Sequence, residues 1–199
     1  MNKQSMGYTI IFTFIVCFAF VFLLALTNEA TRPMVEFNET VARQKAILSA
    51  MSVPFESDQD AESKFQDVEE VDRDGISLFT TTVDGRRVYA KEFVGSGLWG
   101  SINGVLGVDE DVSQTVGLEI ISHNETPGLG GRIDEPWFKE QLAGEELRDG
   151  GIAVTEGDGD TDYSNGEIDG VTGATRTSES MERILNEELE ALRNALGGA

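Results

Sequence analysis

A segment rich in threonine and glycine lies directly before the last predicted helix. From Asp169 to Ser178 it contains three threonines, one serine and two glycines. Free backbone N–H groups at a helix start, with nearby hydroxyls, form a phosphate site, to which Arg176 adds a cation. The alternative is ordinary capping of the helix by Thr177 or Ser178. The segment is no Walker A loop, because no Gly-Lys-[Ser/Thr] occurs in it.

A second segment, from His123 to Gly131, combines Pro127 with three glycines. Such a composition imposes an unusual loop path and lets the backbone approach a flat ligand closely. Glu125 and Thr126 supply polar groups to this loop. The alternative is a tight connection between a strand and a helix. We do not assign His123 as a general base.

A third segment, from Gly95 to Gly100, places Trp99 between glycines. An indole in this setting can stack on an aromatic ligand. A core tryptophan at the start of a strand explains the pattern equally well.

Composition excludes several classes of protein. The chain has 199 residues and a formal net charge of −21, so it lacks the basic surface of a nucleic-acid-binding protein. Its one cysteine, Cys17, and one histidine exclude an internal disulfide framework, a multi-histidine metal centre and thiolate-built zinc or iron–sulfur sites. We therefore expect no metal site in the chain.

Residues 7–26 form an apolar run without a charged side chain. At about 1.5 Å per residue, 20 residues span the roughly 30 Å hydrocarbon core of a membrane. A cleaved signal peptide is the alternative, but the run is long for one and Leu24–Ala30 is a poor cleavage site. Lys3 favours a cytoplasmic amino terminus, with the large domain on the opposite side.

The remaining pattern predicts an α+β domain with strands in the middle and helices at both ends. We divide the chain into a short amino-terminal segment (1–6), a transmembrane helix (7–26), a helical and acidic connecting segment (27–74) and a folded domain (75–199). The predicted elements are a helix over 28–51 broken at Pro33, a short helix at 62–65, a hairpin turn at Asp84-Gly85, strands over 99–108, 115–122 and 152–154, and helices over 136–143 and 178–196.

Taken together, the three segments resemble one family. Gly-Leu-Trp, Glu-Thr-Pro-Gly-Leu-Gly and Asp-x-x-[Ser/Thr]-Gly-Ala-Thr occur in this order in NqrC, the FMN-binding subunit of the Na⁺-translocating NADH:quinone oxidoreductase. RnfG, a subunit of the Rnf electron-transport complex, represents a sister family. The resemblance covers nearly the whole chain and implies an FMN-binding domain with a mainly antiparallel sheet, anchored by one transmembrane helix.

The resemblance also implies the residues that bind the cofactor. In the family, the last threonine of the third motif is esterified to the FMN phosphate, and that position is Thr175 here. A flavin transferase that uses FAD and Mg²⁺ attaches the group, which fits a chain that has no His or Lys adjacent to this hydroxyl to act as base. The other positions implied to bind or present the cofactor are Thr172, Gly173, Ala174, Asp169, Glu125, Thr126, Leu129, Gly130, Leu98 and Trp99. Asp169 either is recognised by the transferase or shapes the loop.

The implied function is electron transfer within a cation-translocating membrane complex. Gly95–Gly100 has the spacing Gly-x-Gly-x-x-Gly, but it leads into a predicted strand and not into the helix of a dinucleotide-binding unit. We therefore expect NADH to bind another subunit and ubiquinone to be reduced by the complex. The implied partners are the other membrane and redox subunits of the complex and, during maturation, the transferase. The implied location is the inner membrane, with the large domain on the periplasmic side.

Three alternatives remain for the function. The first is RnfG, although the Gly-Leu-Trp motif and the Gly166–Gly170 segment favour NqrC; Thr172 stands where serine is usual in NqrC. The second alternative is a membrane-tethered flavoprotein that acts outside a complex. The third is an assembly module with an unused flavin motif.

Overall fold

The chain divides into two compact units, Met1–Thr40 and Val41–Ala199. The computed structural model describes residues 6–148, 151–157 and 159–197. Nearly all of the predicted amino-terminal segment, residues 1–5, therefore lies outside the described residues.

The first unit consists of the earlier part of helix α1, which spans Met6–Ala50. Phe14, Phe18 and Phe22 stack along one side, with neighbouring ring centroids 6.3 Å apart. In the described part of the chain, α1 alone is long and apolar enough to cross a membrane, by length and composition. The predicted span 7–26 lies within it.

The predicted helix break at Pro33 is wrong, because α1 continues through this residue. Proline removes one backbone N–H, so the Glu29 carbonyl, four residues earlier, loses its usual helical donor. Thr27 Oγ1 donates to the Leu23 carbonyl at 2.8 Å, and Thr31 Oγ1 donates to the Thr27 carbonyl at 3.0 Å. These two hydroxyls donate to other carbonyls than that of Glu29, so they do not replace the hydrogen bond that Pro33 removes.

The second unit is built on a five-stranded antiparallel sheet in the order β1-β2-β3-β4-β5. A separate parallel pair joins β6 to β7. The predicted α+β class, with a mainly antiparallel sheet and flanking helices, is confirmed. The elements are α2 Asp58–Phe65, β1 Glu69–Arg73, β2 Ile76–Val83, β3 Arg86–Ser96, β4 Ser101–Asp109, β5 Thr115–Ser122, a 3₁₀ helix Gly130–Asp134, α3 Pro136–Glu140, β6 Ala153–Thr155, β7 Glu167–Asp169 and α4 Thr175–Leu196.

Two Asp-Gly turns join the first three strands. Asp84-Gly85 has positive φ at both residues, 50° and 78°, as a type I′ hairpin turn requires. The predicted turn is confirmed there. Asp74-Gly75 repeats the geometry one hairpin earlier, with φ of 53° and 81°. It pairs β2 with β1, an acidic edge strand within the segment predicted to be connecting chain.

Each face of the sheet packs against a different layer. The face that carries Phe79, Ala90 and Val105 packs against the last turns of α1, around Ile47 and Ala50. The second unit begins at Val41, so residues 41–74, predicted as part of a connecting segment, fold with the sheet. The opposite face forms the larger core with α3 and α4.

Helix α4 buries an apolar stripe that includes Ile184, Leu185 and Leu189. Glu188, which interrupts the stripe, forms a half-buried ion pair with Lys91 of β3. The helix begins at Thr175, three residues before the predicted start. This earlier start places Thr175 in the first helical turn.

A buried carboxylate joins two loops of the second unit. Glu145 is 1% exposed, and its Oε1 accepts a hydrogen bond from the Gly166 N–H at 2.6 Å. Burial raises the pKa of Glu145 above its ordinary 4.5, and the charges of Asp160 and Asp162 raise it further. The charged form of Glu145 is therefore less favourable in the folded state than in the unfolded state.

We expect Glu145→Gln to raise the melting temperature of the full chain at pH 7. A carboxylic acid whose pKa is raised on folding destabilises the folded state at every pH above its folded pKa. This destabilisation disappears below pH 4.5, the ordinary pKa of the group, because the acid is then protonated in both states. The advantage of the variant should therefore vanish as the pH falls below this value. Thermal unfolding at a series of pH values measures it, with the exposed neighbour Glu146→Gln as control. An advantage independent of pH would contradict the assignment.

Candidate functional site

The three sequence segments meet at the carboxylate of Glu125, which is 4% exposed. Its Oε1 accepts hydrogen bonds from the backbone N–H groups of Leu98, at 2.8 Å, and Trp99, at 3.0 Å. Its Oε2 accepts a hydrogen bond from Thr177 Oγ1 at 2.6 Å. One side chain from the loop over 123–131 thus contacts both the 95–100 segment and the beginning of α4.

Two glycines leave room for this contact. A side-chain methyl group at Gly97 would lie against Glu125 Oε1, and one at Gly130 would overlap the Thr177 hydroxyl. Gly97 also donates to the Gly100 carbonyl at 2.8 Å, which closes a turn over residues 97–100. This turn explains why β4 begins at Ser101, whereas the prediction began the strand at Trp99.

The Glu125 loop has its own internal hydrogen bonds. The N–H groups of Leu129 and Gly131 both donate to the Thr126 carbonyl, at 3.1 and 2.9 Å. Gly128 lies in the left-handed region with φ of 72°. The Glu125 N–H donates to His123 Nδ1 at 3.1 Å, so the imidazole helps to hold the loop.

The loop before α4 is folded back onto that helix. The Val171 N–H donates to Ser178 Oγ at 2.9 Å, and Ser178 Oγ donates to the Ala174 carbonyl at 3.2 Å. Gly173 has φ of 79°, in the region that favours glycine. Ser178, considered above as a helix cap, instead joins the loop to the first turn of the helix.

Thr175 is the first residue of α4 and is exposed. The residue before it, Ala174, caps the helix without a side-chain hydrogen bond. The positive end of the helix dipole is therefore open beside the Thr175 hydroxyl, a favourable place for an anion. Thr172 and Gly173 line a cleft of about 470 Å³ together with Thr175.

The same cleft carries several acidic side chains. Glu156, Glu179 and Glu182 line it, and its described lining residues include no Lys or Arg. A second cleft of about 350 Å³, on the other side of the first turn, is lined by Leu98, Arg176 and others. The only basic side chains among the described lining residues of these two clefts lie in this second cleft.

Three large apolar side chains of the two loops joined by Glu125 remain exposed. Trp99 is 68% exposed, and Leu98 and Leu129 are each 46% exposed. Leu129 also lies beside Gly173. Because Trp99 is exposed, its interpretation as a core residue is wrong, and its indole remains free to cover a flat ligand.

Asp169 is the last residue of β7. Its carboxylate accepts hydrogen bonds from Thr155 Oγ1, at 3.1 Å, and from the Gly159 N–H, at 2.9 Å. Buried Gln141 holds its backbone, accepting from the Asp169 N–H at 2.7 Å and donating to the Asp169 carbonyl at 3.2 Å. Of the two roles considered for Asp169, these contacts correspond to shaping the loop.

Three residues that support the site, Thr177, Ser178 and Gln141, were not predicted as site residues. Thr177 and Ser178 appeared only as alternative helix caps, because the helix was expected to begin three residues later. No local pattern marks Gln141, since its partners are distant along the chain. The position of Gly97, directly before the Leu-Trp pair, was the available signal for a close backbone approach.

Comparison with known proteins agrees with the resemblance that the three sequence segments indicate. Residues 97–190 match the family model described as the FMN-binding domain. The NqrC subunit of the Na⁺-translocating NADH-quinone reductase of Pseudomonas aeruginosa is 36% identical over 98 residues, covering 46% of this chain and 38% of that protein. The resemblance to NqrC is confirmed. The corresponding Chlamydia pneumoniae subunit is 32% identical over 120 residues, covering 51% of this chain and 38% of that protein.

Solved structures extend the similarity beyond the matched segment. The NqrC subunit from Parabacteroides distasonis aligns with a TM-score of 0.70 and 26% identity, over 84% of this chain and 98% of that chain. NqrC of Shewanella oneidensis shares the fold, with a TM-score of 0.66 and 21% identity over 78% of this chain and 96% of that chain. The matches to the two curated relatives named above span about two-fifths of the length of each.

We expect Ser178→Ala to destabilise the chain by about 1–2 kcal/mol, because the buried Val171 N–H loses its acceptor. Ser180→Ala is the control, since Ser180 Oγ only donates to the Arg176 carbonyl one turn earlier. Its effect should stay within about 0.5 kcal/mol. Urea unfolding of the full chain in detergent measures both, and equal effects would contradict the proposed loop contact.

Proposed function

We propose that the chain is a membrane-anchored electron-transfer subunit that carries FMN in a phosphoester bond to Thr175. The observation that supports this proposal most is the position of Thr175. Its hydroxyl is exposed at the uncapped start of a 22-residue helix, beside a cleft and among exposed apolar side chains. The helix start suits the phosphate, and the apolar side chains suit a flat ring.

In the proposed attachment step, Thr175 Oγ attacks the riboflavin-side phosphorus of FAD. The Oγ–P bond forms, the pyrophosphate P–O bond breaks, and AMP leaves. The hydroxyl proton passes to a base of the flavin transferase, because none of the described residues lining the Thr175 cleft is a His or Lys. Mg²⁺ supplied with FAD offsets the charge of the two phosphates.

The residues around Thr175 then have separate roles. Thr172, Gly173 and Ala174 present the acceptor and allow the phosphate to approach the backbone. Leu98, Trp99 and Leu129 cover the ring, while Thr126 and Gly130 form the nearby loop surface. Glu125 holds these segments together, and Asp169 maintains the loop behind them. The bound flavin supplies the electron-transfer chemistry, and the chain orients it.

The complex we propose is the Na⁺-translocating NADH:quinone oxidoreductase, because the curated relatives compared above are named as the NqrC subunit of such a reductase. NADH would bind another subunit, and ubiquinone would be the final acceptor. We propose that α1 anchors the chain in the inner membrane with the second unit on the periplasmic side. An acidic domain is translocated without penalty under the positive-inside rule.

We expect Thr175→Val to abolish covalent flavin while the domain stays folded, because the exposed hydroxyl has no described structural contact. The full chain is co-expressed with a flavin transferase, and flavin is detected by in-gel fluorescence and intact mass. Ser180→Ala removes a neighbouring hydroxyl and should retain full flavin. Full flavin on Thr175→Val would contradict the assignment. A colourless wild-type chain would favour the assembly module.

We expect the double variant Glu179→Gln and Glu182→Gln to accept FAD-derived flavin faster at low ionic strength. The two carboxylates beside the cleft repel the phosphates of the incoming FAD. Removing each charge should raise the loading rate roughly twofold to threefold. The gain should fade as the Debye length falls to about 10 Å near 0.1 M salt. Loading rates are measured with purified transferase, FAD and Mg²⁺.

Glu190→Gln is the matched control for this charge effect. Glu190 is an exposed residue of the same helix and does not line the cleft. Its loading rate should follow that of the wild type at every salt concentration. An equal gain in the control would mean that net charge, rather than charge at the cleft, limits loading.

A further inference from the structure

Thr177 is a buried polar residue that the proposed attachment chemistry does not use. Its side chain is 1% exposed, and its hydroxyl donates to Glu125 Oε2 at 2.6 Å. We name the side chains of Glu125 and Thr177, with the N–H groups of Leu98 and Trp99, the Glu125 network. Its donors to the carboxylate are all uncharged groups.

The Glu125 network joins the attachment point to the residues proposed to cover the ring. Thr177 lies two residues after Thr175, within the same first turn of α4. Leu98 and Trp99 are held through their backbone N–H groups, so their side chains remain exposed. The position of the acceptor hydroxyl and the position of the ring surface are therefore set by the same carboxylate.

Both oxygens of the Glu125 carboxylate already accept hydrogen bonds from the protein. Oε1 accepts two backbone hydrogen bonds and Oε2 accepts the threonine hydroxyl. The close packing at Gly97 and Gly130 further encloses the carboxylate. Glu125 therefore acts on a ligand through the segments it holds rather than by direct contact.

We propose that Thr177 is a positioning residue for flavin attachment and for the flavin environment, and that it acts through Glu125. The inference rests on the proposed function, because it assigns a role relative to flavin at Thr175. Removal of the Thr177 hydroxyl leaves Oε2 without its donor and separates the first turn of α4 from the 97–100 turn. Attachment slows, and Leu98 and Trp99 hold the ring less firmly.

A flavin-free experiment tests the network by itself. The chain contains two tryptophans, so Trp137→Phe leaves Trp99 as the single indole reporter. In the full chain without transferase, Thr177→Val should increase the fast component of the Trp99 anisotropy decay, and Thr177→Ser should restore it. Unchanged Trp99 motion in Thr177→Val would overturn the coupling, whether or not the wild type binds flavin.

A loading experiment tests the consequence for attachment. With transferase, FAD and Mg²⁺, Thr177→Val should load about tenfold more slowly, which corresponds to roughly 1.4 kcal/mol. Thr177→Ser should load as the wild type does. Glu125→Gln should also load, because its amide can accept from Leu98 and Trp99 and donate to the threonine oxygen.

Thr80→Val is the matched control for loss of a buried threonine hydroxyl. Thr80 is 3% exposed and donates to the Val88 carbonyl at 3.0 Å within the sheet. The Thr80→Val variant should have a lower melting temperature than the wild type but the same rate of flavin attachment. If Thr177→Val loads flavin as fast as Thr80→Val, Thr177 is a structural residue only. The same conclusion follows if the flavin loaded on Thr177→Val keeps the wild-type anisotropy and midpoint potential.

Gly130→Ala provides a second disruption if Thr177→Val does not fold. The added methyl group enters the space between Thr177 and Glu125 without changing either side chain. It should slow loading and mobilise Trp99 as Thr177→Val does, and wild-type behaviour in both measurements would overturn the inference. A wild-type chain that takes up no flavin would contradict the proposed function. The Trp99 measurement would still test whether Thr177 is coupled to Trp99 through Glu125.

Discussion

The buried carboxylate of Glu125 organises the candidate site. Its hydrogen bonds to Leu98, Trp99 and Thr177 bring together segments almost 80 residues apart along the chain. A buried carboxylate is favourable only when its oxygens are satisfied by hydrogen bonds. The surrounding sequence meets this requirement with a tight turn at residues 97–100 and with glycine at position 130. The exposed hydroxyl of Thr175 owes its setting to this arrangement.

The electrostatic setting of Thr175 combines two opposing effects. The open start of α4 attracts an anion, whereas Glu156, Glu179 and Glu182 line the adjoining cleft and the chain carries a net charge of −21. Dipole effects are confined to the first helical turn, while exposed charges are screened by salt. A phosphate held covalently does not depend on charge attraction to stay bound. Such a bond suits an otherwise acidic surface.

Much of the fold could be predicted from local patterns. The Asp84-Gly85 turn and the strand over 115–122 are local signals, and the structure confirms both of them. The edge strand β1 has one half-buried apolar residue, Val71, among charged ones, so it gives no such signal. The continuation of α1 through Pro33 was not predicted, because proline inside a helix usually breaks or kinks it.

The candidate site was predicted as three motifs, but their junction was not. Motif resemblance identified Glu125 and Thr175, whereas the contact between Glu125 and Thr177 spans 52 positions and has no sequence pattern. The same holds for Gln141, which contacts Asp169 across 28 positions. The motifs were easier to predict than the contacts that join them, because these contacts depend on the packing of distant elements.

The flavin is proposed to be bonded to Thr175 and to no other residue. Peptide mapping by tandem mass spectrometry tests this claim on the full chain, purified from membranes of cells that also express a flavin transferase. We predict that the peptide ending at Arg176 carries the added mass of an FMN phosphoester and that fragmentation assigns the added mass to Thr175. An unmodified peptide, or flavin assigned to another residue, would contradict the proposed attachment.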